Sequence, residues 1–544
     1  MRSKFVYILV IAVVGFSCQR KDKIVDTNDS GEVSVLTQHN DNTRSGLNSH
    51  ETILTTSNVN ANQFSKLFSL PVDDQVYAQP LVVSQLSISG SPKNVVFIAT
   101  VNNTVYAYDG DNGKLYWKKN FTQPGMRPPK NSDMTGACGG DYQDISGNIG
   151  IIGTPVIDAG SHEMYFVARS TGNGNFVQYL HAIDITTGGE MAGSPVKISA
   201  TFPGSGDGSS NNVLSFDGQK ENQRQGLTLV DGMVYVTFSS HCDWGPYHGW
   251  ILGYDSKSLS QQIVFNDTPD GGDGGIWESG MGMAADANGN LYVAVGNGTV
   301  GLNGDPTNLI NRGESALKLS PSGHTLKVVS YFTPYNYQTL EEHDWDYGGM
   351  GAMLIPNSNY FLTGGKDGNL YLLNKDNMGG YSSSSNNVQQ NISLGQDASV
   401  HCQPAYYKGD SAEFVYVWSE NDQLRAFPFN RNSNKLDVAN QITSSVTGPS
   451  GESGAVLSVS SNGNLPGTGI LWASYPSSGD ANQETRPGIL RAFDASDVKK
   501  ELWNNTQKTS DAAGDYAKFC SPTIANGHVY LATFSNQVVV YGLK

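Results

Sequence analysis

Short runs in which aromatic and β-branched residues alternate with polar ones, bounded by Gly and Asn, recur along this chain. Such runs read as strands joined by hairpin turns. Many of them end in one phrase: a β-rich stretch, a small residue, an aromatic and an acid, then a turn glycine and an apolar stop. The cleanest copy is Val105-Tyr106-Ala107-Tyr108-Asp109, followed by Gly113 and Trp117. Weaker copies are His181-Ala182-Ile183-Asp184, Leu252-Gly253-Tyr254-Asp255, Leu317-Lys318-Leu319-Ser320 and Tyr371-Leu372-Leu373-Asn374. Leu424-Arg425-Ala426-Phe427, Leu490-Arg491-Ala492-Phe493-Asp494 and Val539-Val540-Tyr541-Gly542 complete the set. Eight copies, spaced by about one four-stranded sheet plus variable loops, are the signature of a radial β-repeat.

Each phrase falls late in a unit that opens on a small residue or a proline. The openings are Gln79-Pro80, Thr154-Pro155, Gly226-Leu227, Ser279-Gly280, Gly349-Met350, Gln403-Pro404, Ser453-Gly454 and Ser521-Pro522. Eight openings match eight phrases. The predicted fold is all-β: an eight-bladed β-propeller of four-stranded antiparallel blades over residues 34–544. After the last phrase no chain is left for an outer strand. Residues 34–72, with strand-like Phe68-Ser69-Leu70, are expected to close the ring by supplying it, because closure removes exposed edges. Trp117 and Trp503 are expected to dock between neighbouring blades.

Composition agrees, with 62 Gly, 26 Tyr, 20 Phe, 8 Trp and only 15% charged residues. A formal charge of −16 argues against nucleic acid, whose phosphates demand basic patches. Near the start, Arg2 and Lys4 precede an apolar run at residues 5–16, too short to span a bilayer. Ser17 and Cys18 follow, so residues 1–18 read as a secretory signal ending at a lipid-modified cysteine. Residues 19–33 are polar and suit a flexible tether. These features predict a cell-envelope protein, lipid-anchored to the outer membrane or periplasmic, that meets the membrane through its lipid alone.

Four cysteines remain: Cys138, Cys242, Cys402 and Cys520. An even count in an exported chain permits two disulfides with three pairings. No CxxCH motif for covalent haem is present. In a propeller, the loop before each innermost strand and the loop after each second strand converge on one face. That geometry selects Arg224, Trp277, Asp346, Cys402 and Cys520 from the first kind of loop. From the second kind it selects His241, Cys242, Asp243, Asn297 and Lys366. These groups suit a flat, polar, anionic ligand: an aromatic to stack, a lysine to neutralise charge, and an asparagine whose carbonyl oxygen binds a hard cation. His241, Cys242, Asp243 and His248 lie within eight residues and could bind a transition metal. The competing expectation is that Cys242 is disulfide-bonded while the histidines satisfy loop backbone.

Gly274-Gly275-Ile276-Trp277, then Leu291-Tyr292-Val293-Ala294-Val295-Gly296-Asn297-Gly298, resemble the quinoprotein alcohol dehydrogenases. So do His343-Asp344-Trp345-Asp346-Tyr347 and Gly365-Lys366-Asp367-Gly368-Asn369-Leu370-Tyr371. Those enzymes are eight-bladed propellers that carry pyrroloquinoline quinone (PQQ) with calcium. The resemblance implies Trp277 as the stacking floor, Asn297 as a Ca²⁺ ligand, Asp346 as the base for the substrate hydroxyl, and Lys366 bonded to the quinone oxygens. Arg224 joins this set as a cofactor-binding cation. Gly348 offers no extra carboxylate of the lanthanide-using kind.

Three family features are missing at their expected places. The adjacent cysteine pair has only Cys138 as counterpart, and the arginine that should follow it is absent. The calcium-binding glutamate would fall near Gly172-Asn173-Gly174, where no carboxylate stands. Two functions follow from this mixture. One is a PQQ-dependent oxidoreductase acting on a small alcohol or sugar. The other is a non-catalytic propeller lipoprotein that binds an envelope protein or polysaccharide.

Overall fold

The computed structural model describes residues 32–544. The predicted signal segment with Cys18, and all but the end of the tether, lie outside the described residues. Eight antiparallel sheets, each of four principal strands, form the ring. Their innermost strands are Leu81–Ile88, Val156–Asp158, Thr228–Val230, Ala284–Ala285, Met350–Leu354, Ala405–Lys408, Val456–Ser460 and Thr523–Ala525. Neighbouring blades meet along these strands around a central channel.

The recurrent phrase is the third strand of every blade, as in Thr104–Asp109, Trp250–Asp255 and Gly488–Asp494. Its terminal acid has a local structural task. Asp109 Oδ1 accepts the N–H groups of Asp111 and Asn112, at 3.1 and 3.2 Å. Asp255 Oδ1 does the same for Lys257 and Ser258, at 3.1 and 2.8 Å. A carboxylate that accepts from the next residues' amides turns the chain back toward the fourth strand. The hairpins within blades obey equally local rules. Asp231-Gly232 and Asn526-Gly527 have φ of 51° and 74°, and 54° and 78°, the left-handed pair a tight two-residue hairpin requires.

Ring closure takes the predicted form. The strand Phe64–Pro71 pairs antiparallel with Gln537–Leu543 and completes blade eight. Phe64 is fully buried, with ring centroids 5.0 Å from Trp503 of blade seven and 6.4 Å from Tyr541 of blade eight. Trp503 thus packs between blades. Trp117 docks similarly, its indole N–H donating to the Ile185 carbonyl of blade two at 3.1 Å. A Cβ on Gly188 would lie 2.7 Å from the Trp117 ring, so only glycine admits this contact.

The stretch before the closing strand does something the sequence pattern does not announce. Val35 pairs with Val82 of blade one, and Leu47–Asn48 adds a parallel strand to Val456–Ser460 of blade seven. Between them, fully buried Arg44 donates to the Gly282 carbonyl of blade four (3.1 Å) and to Thr228 Oγ1 of blade three (2.6 Å). This strap therefore crosses the channel and ties opposite blades together. Among the described residues, no helix is long and apolar enough to cross a membrane.

Candidate functional site

A chamber in the channel is lined by Arg224, Cys242, Asp243, Trp277, Asp346 and Lys366, with Asp144, Asp344, His401 and Glu452. Six of the residues selected from the sequence thus meet in one place, although they come from loops of three blades. Trp277 and Asp346 precede the innermost strands of blades four and five. Lys366 follows a second strand, where the chain must turn away from the channel and exposes its side chain there.

At the centre lies an ion pair. Lys366 Nζ is 2.5 Å from Asp346 Oδ2 and 3.1 Å from Asp344 Oδ2. Asp346 is buried, and its other oxygen accepts the Asn297 N–H at 3.1 Å. Asn297 donates its side-chain amide to Asp344 Oδ1 at 2.8 Å. Burial alone would lower the Lys366 pKa, but Asp346 and Asp344 outweigh it and hold the ammonium above its usual value. Beside this group, Asn297 Oδ1 and the indole N–H of Trp277 are buried without a hydrogen-bond partner. Unpaired buried polar atoms are costly unless something binds them.

Asp243 supplies a further carboxylate. Its Oδ1 accepts the Tyr247 hydroxyl at 2.7 Å. Partial withdrawal from water, followed by the nearby Asp346, pushes its carboxyl up to about 6. This changes the picture of the missing glutamate. Gly172-Asn173-Gly174 is the tight turn between Glu163–Gly172 and Asn175–Asp184 and lines no part of the chamber. Among the chamber's acids, Asp243 comes from the loop after the second strand of blade three.

The cysteines divide. Cys138 and Cys242 form a disulfide, with Cα atoms 5.4 Å apart, so the loop between blades one and two is joined to blade three. Cys402 and Cys520 are free thiols buried in interblade cores, so only one of the two permitted disulfides forms. The residues just upstream of them face the channel instead. His401 bonds Glu420 at 2.9 Å, and Lys518 is buried at the inner end. The convergence rule picked the right loops there but the wrong residue in each. At Cys402 the correcting signal is alternation, which turns the successive side chains of His401 and Cys402 to opposite sides; Lys518, two positions before Cys520, carries no such signal.

His241, Asp243 and His248 do not gather into a metal site. His241 is buried between Tyr142 (Nδ1 to hydroxyl, 2.7 Å) and Arg169 (Nε2 to Nη1, 2.6 Å). Burial, then the Arg169 charge, keep it neutral. His248 bonds Thr268 Oγ1 and the Asp207 carbonyl. Among the described residues, Cys138, Asp144 and Cys242 are the one trio of potential metal ligands closely grouped, and its two sulfurs are bonded to each other.

The rim is acidic. Burial, then Glu341, Asp243 and Asp207, push the Asp273 carboxyl up to about 6. In the unfolded chain it ionises near 3.9. Ionisation therefore costs the fold stability as pH rises from there through about 6. Asn tolerates the φ of 60° at this position. Asp273→Asn should raise the Tm at pH 7–8 and leave it unchanged at pH 4. A Tm difference equal at both pH values would contradict this reading.

Comparison with solved structures identifies the architecture. The europium-containing methanol dehydrogenase superposes with a TM-score of 0.58 at 10% identity, over 95% of this chain and 99% of that one. The chain has the quinoprotein alcohol dehydrogenase fold. The quinohemoprotein alcohol dehydrogenase of Comamonas testosteroni gives a TM-score of 0.56 at 14% identity, over 94% of this chain and 80% of that one. The corresponding enzyme ADHIIG of Pseudomonas putida HK5 gives 0.54 at 14%, with the same coverage. Identity this low establishes fold alone. A family model described as outer membrane protein assembly factor BamB matches residues 30–138. No curated protein matches the chain.

Proposed function

We propose that this chain is an exported quinoprotein-type oxidoreductase that withdraws hydrogen from an alcohol or sugar hydroxyl at the channel chamber. The observation that carries the reading is the joint presence of Asp346, Lys366 and Trp277 at one cavity, with Asn297 bonded to Asp346 beside them and unpartnered buried atoms on Trp277 and Asn297. The donor set fits a flat, multiply anionic quinone and a divalent cation. Trp277 offers a ring face, and Lys366, Arg224 and His401 offer positive charge. Asn297 Oδ1, Asp243 and Asp346 are the hard oxygen donors that suit calcium. A bound quinone supplies the hydride-accepting carbon.

The protein's own part is proton handling and orientation. Asp346, paired with Lys366, accepts the substrate hydroxyl proton. The Asn297 N–H fixes Oδ1, and Oδ2, which faces the Lys366 ammonium, is the oxygen that takes part in this exchange. Lys366 stays beside the developing charge and stabilises it without moving. The Cys138–Cys242 disulfide holds the loop bearing Asp144 at the chamber wall. The chain carries no haem-attachment motif, so its electrons pass to a separate acceptor.

Protein incubated with PQQ and Ca²⁺ should reduce an artificial dye when given alcohols or sugars. Absence of turnover with every substrate, in protein shown to hold the cofactor, would refute the reading. The BamB-like match over residues 30–138 favours a second one, an envelope protein that binds a protein or polysaccharide partner at its rim. That reading expects rim substitutions, not chamber substitutions, to abolish partner capture.

A further inference from the structure

Leu465 is 52% exposed and Ile53 47%, and both lie on the face of the ring opposite the chamber. Leu465 sits in the hairpin between the innermost and second strands of blade seven, at the other end of the blades from the loops that bear Asp346 and Lys366. Ile53 lies in the strap, in a loop joined to that hairpin. His50 bridges Asn462 there, and the Thr56 N–H donates to the Gly467 carbonyl at 2.9 Å. Ile53 also packs on the equivalent hairpin of blade eight, since a Cβ on Gly527 would lie 2.9 Å from its side chain. The sector is uncharged. Residues 52–63 and 461–469 hold no acid and no base, and neither do the hairpin turns Asn526-Gly527 of blade eight and Ser89-Gly90 of blade one. The equivalent turns of blades two, three, four and six carry Asp158, Asp231, Asp286 and Asp410, and of the rest only that of blade five lacks an acid. The outer hairpin of blade seven, 494–500, holds two acids and two lysines and adds no net charge. The start of the described chain is fixed in the same sector. The Val33 N–H donates to Asn526 Oδ1 at 2.7 Å, and the Val33 carbonyl accepts the Ser84 hydroxyl of blade one.

We propose that this sector of blades seven, eight and one, bearing Ile53 and Leu465, is the surface that lies against a lipid bilayer, so that the chamber opens away from the membrane. The inference is independent of the quinone reading. It rests on the lipid anchor expected at Cys18, which lies outside the described residues. Anionic headgroups repel acids, and in a chain of net charge −16 this uncharged sector is the part they repel least. Exposed aliphatic side chains gain by entering the boundary between headgroups and acyl chains. The segment from Cys18 to Val33 reaches at most about 50 Å. A lipid on Cys18 therefore holds the sector at high effective concentration beside the bilayer, where a small apolar contact sets the orientation.

The test uses the chain as recovered from the cell envelope, with the lipid on Cys18 read by mass spectrometry, placed in vesicles of phosphatidylethanolamine and phosphatidylglycerol. An environment-sensitive dye is attached at Ile53→Cys, at Leu465→Cys or, as the chamber-face control, at Leu309→Cys. Leu309 is 46% exposed on the loop after the second strand of blade four. Cys402 and Cys520 are buried, so the dye finds the new thiol. Spin-labelled lipids should quench the dye at positions 53 and 465 at least threefold more than at 309. Leu465→Asp should at least halve the quenching at position 53. Equal quenching at all three positions, or the strongest at 309, would overturn the proposal. So would a dye shift at 53 and 465 that appears without vesicles and grows with protein concentration, since that marks contact between copies. A chain with no lipid on Cys18 would remove the anchor and the proposal together and leave the quinone reading untouched.

Discussion

A chain that begins at Val72 should fail to form the cooperatively folded ring that residues 32–544 form. The loss removes Phe64–Pro71, the strand that completes blade eight against Gln537–Leu543. Phe64 and Leu70 are both fully buried on it. Deleting a buried Phe or Leu side chain costs about 2–5 kcal/mol each. The total stability of a domain is about 5–15 kcal/mol. The strap goes too, and with it the Arg44 bonds that join blades three and four. What remains exposes the long edge of Gln537–Leu543, an invitation to pair with another chain. Thermal scans and size-exclusion chromatography should show no single cooperative transition and a shift to aggregates. A truncated chain that melts as one unit within a few degrees of the longer one would contradict the role assigned to this segment.

That closing strand was legible because the repeat left one strand unaccounted for, and Phe68-Ser69-Leu70 had the alternation to supply it. The strap before it was not legible. Its contacts run through Arg44 and His39, polar residues whose partners are backbone carbonyls of distant blades. A periodicity argument has no term for such bonds. The same asymmetry holds in the site. Trp277, Asp346 and Lys366 could be placed because the loops carrying them have fixed positions relative to regular strands. The same rule places Asp243, on the loop after the second strand of blade three, although the dense ligating side chains there also suggest a transition-metal cluster, which His241 and His248 do not form. Lys518 and His401 were hidden by the cysteines one or two positions on. Disulfide pairing depends on the path of the loop from blade one to blade two, which no local pattern encodes.

Asp346→Asn should lower turnover by about 10²–10⁴-fold, the contribution of a positioned base, while changing cofactor affinity much less. The amide matches the carboxylate in shape, and its oxygen can still accept the Asn297 N–H. It cannot take a proton, and it no longer neutralises Lys366, which keeps only the exposed Asp344 as partner. Steady-state rates and cofactor titrations on the same preparation separate the two effects. If the variant keeps a tenth or more of wild-type turnover, Asp346 is not the base. If it loses cofactor and turnover together, Asp346 holds the ligand rather than performing the chemistry.

The reading of the chamber as a quinone site stands most directly on whether it takes a quinone up. Purified wild-type protein and Trp277→Ala should be titrated with PQQ in the presence of Ca²⁺, following both the quinone absorbance and protein fluorescence. Saturable one-to-one binding at micromolar concentration by the wild type, lost in the variant, is the predicted result. No spectral change in the wild type at large molar excess of PQQ would contradict it.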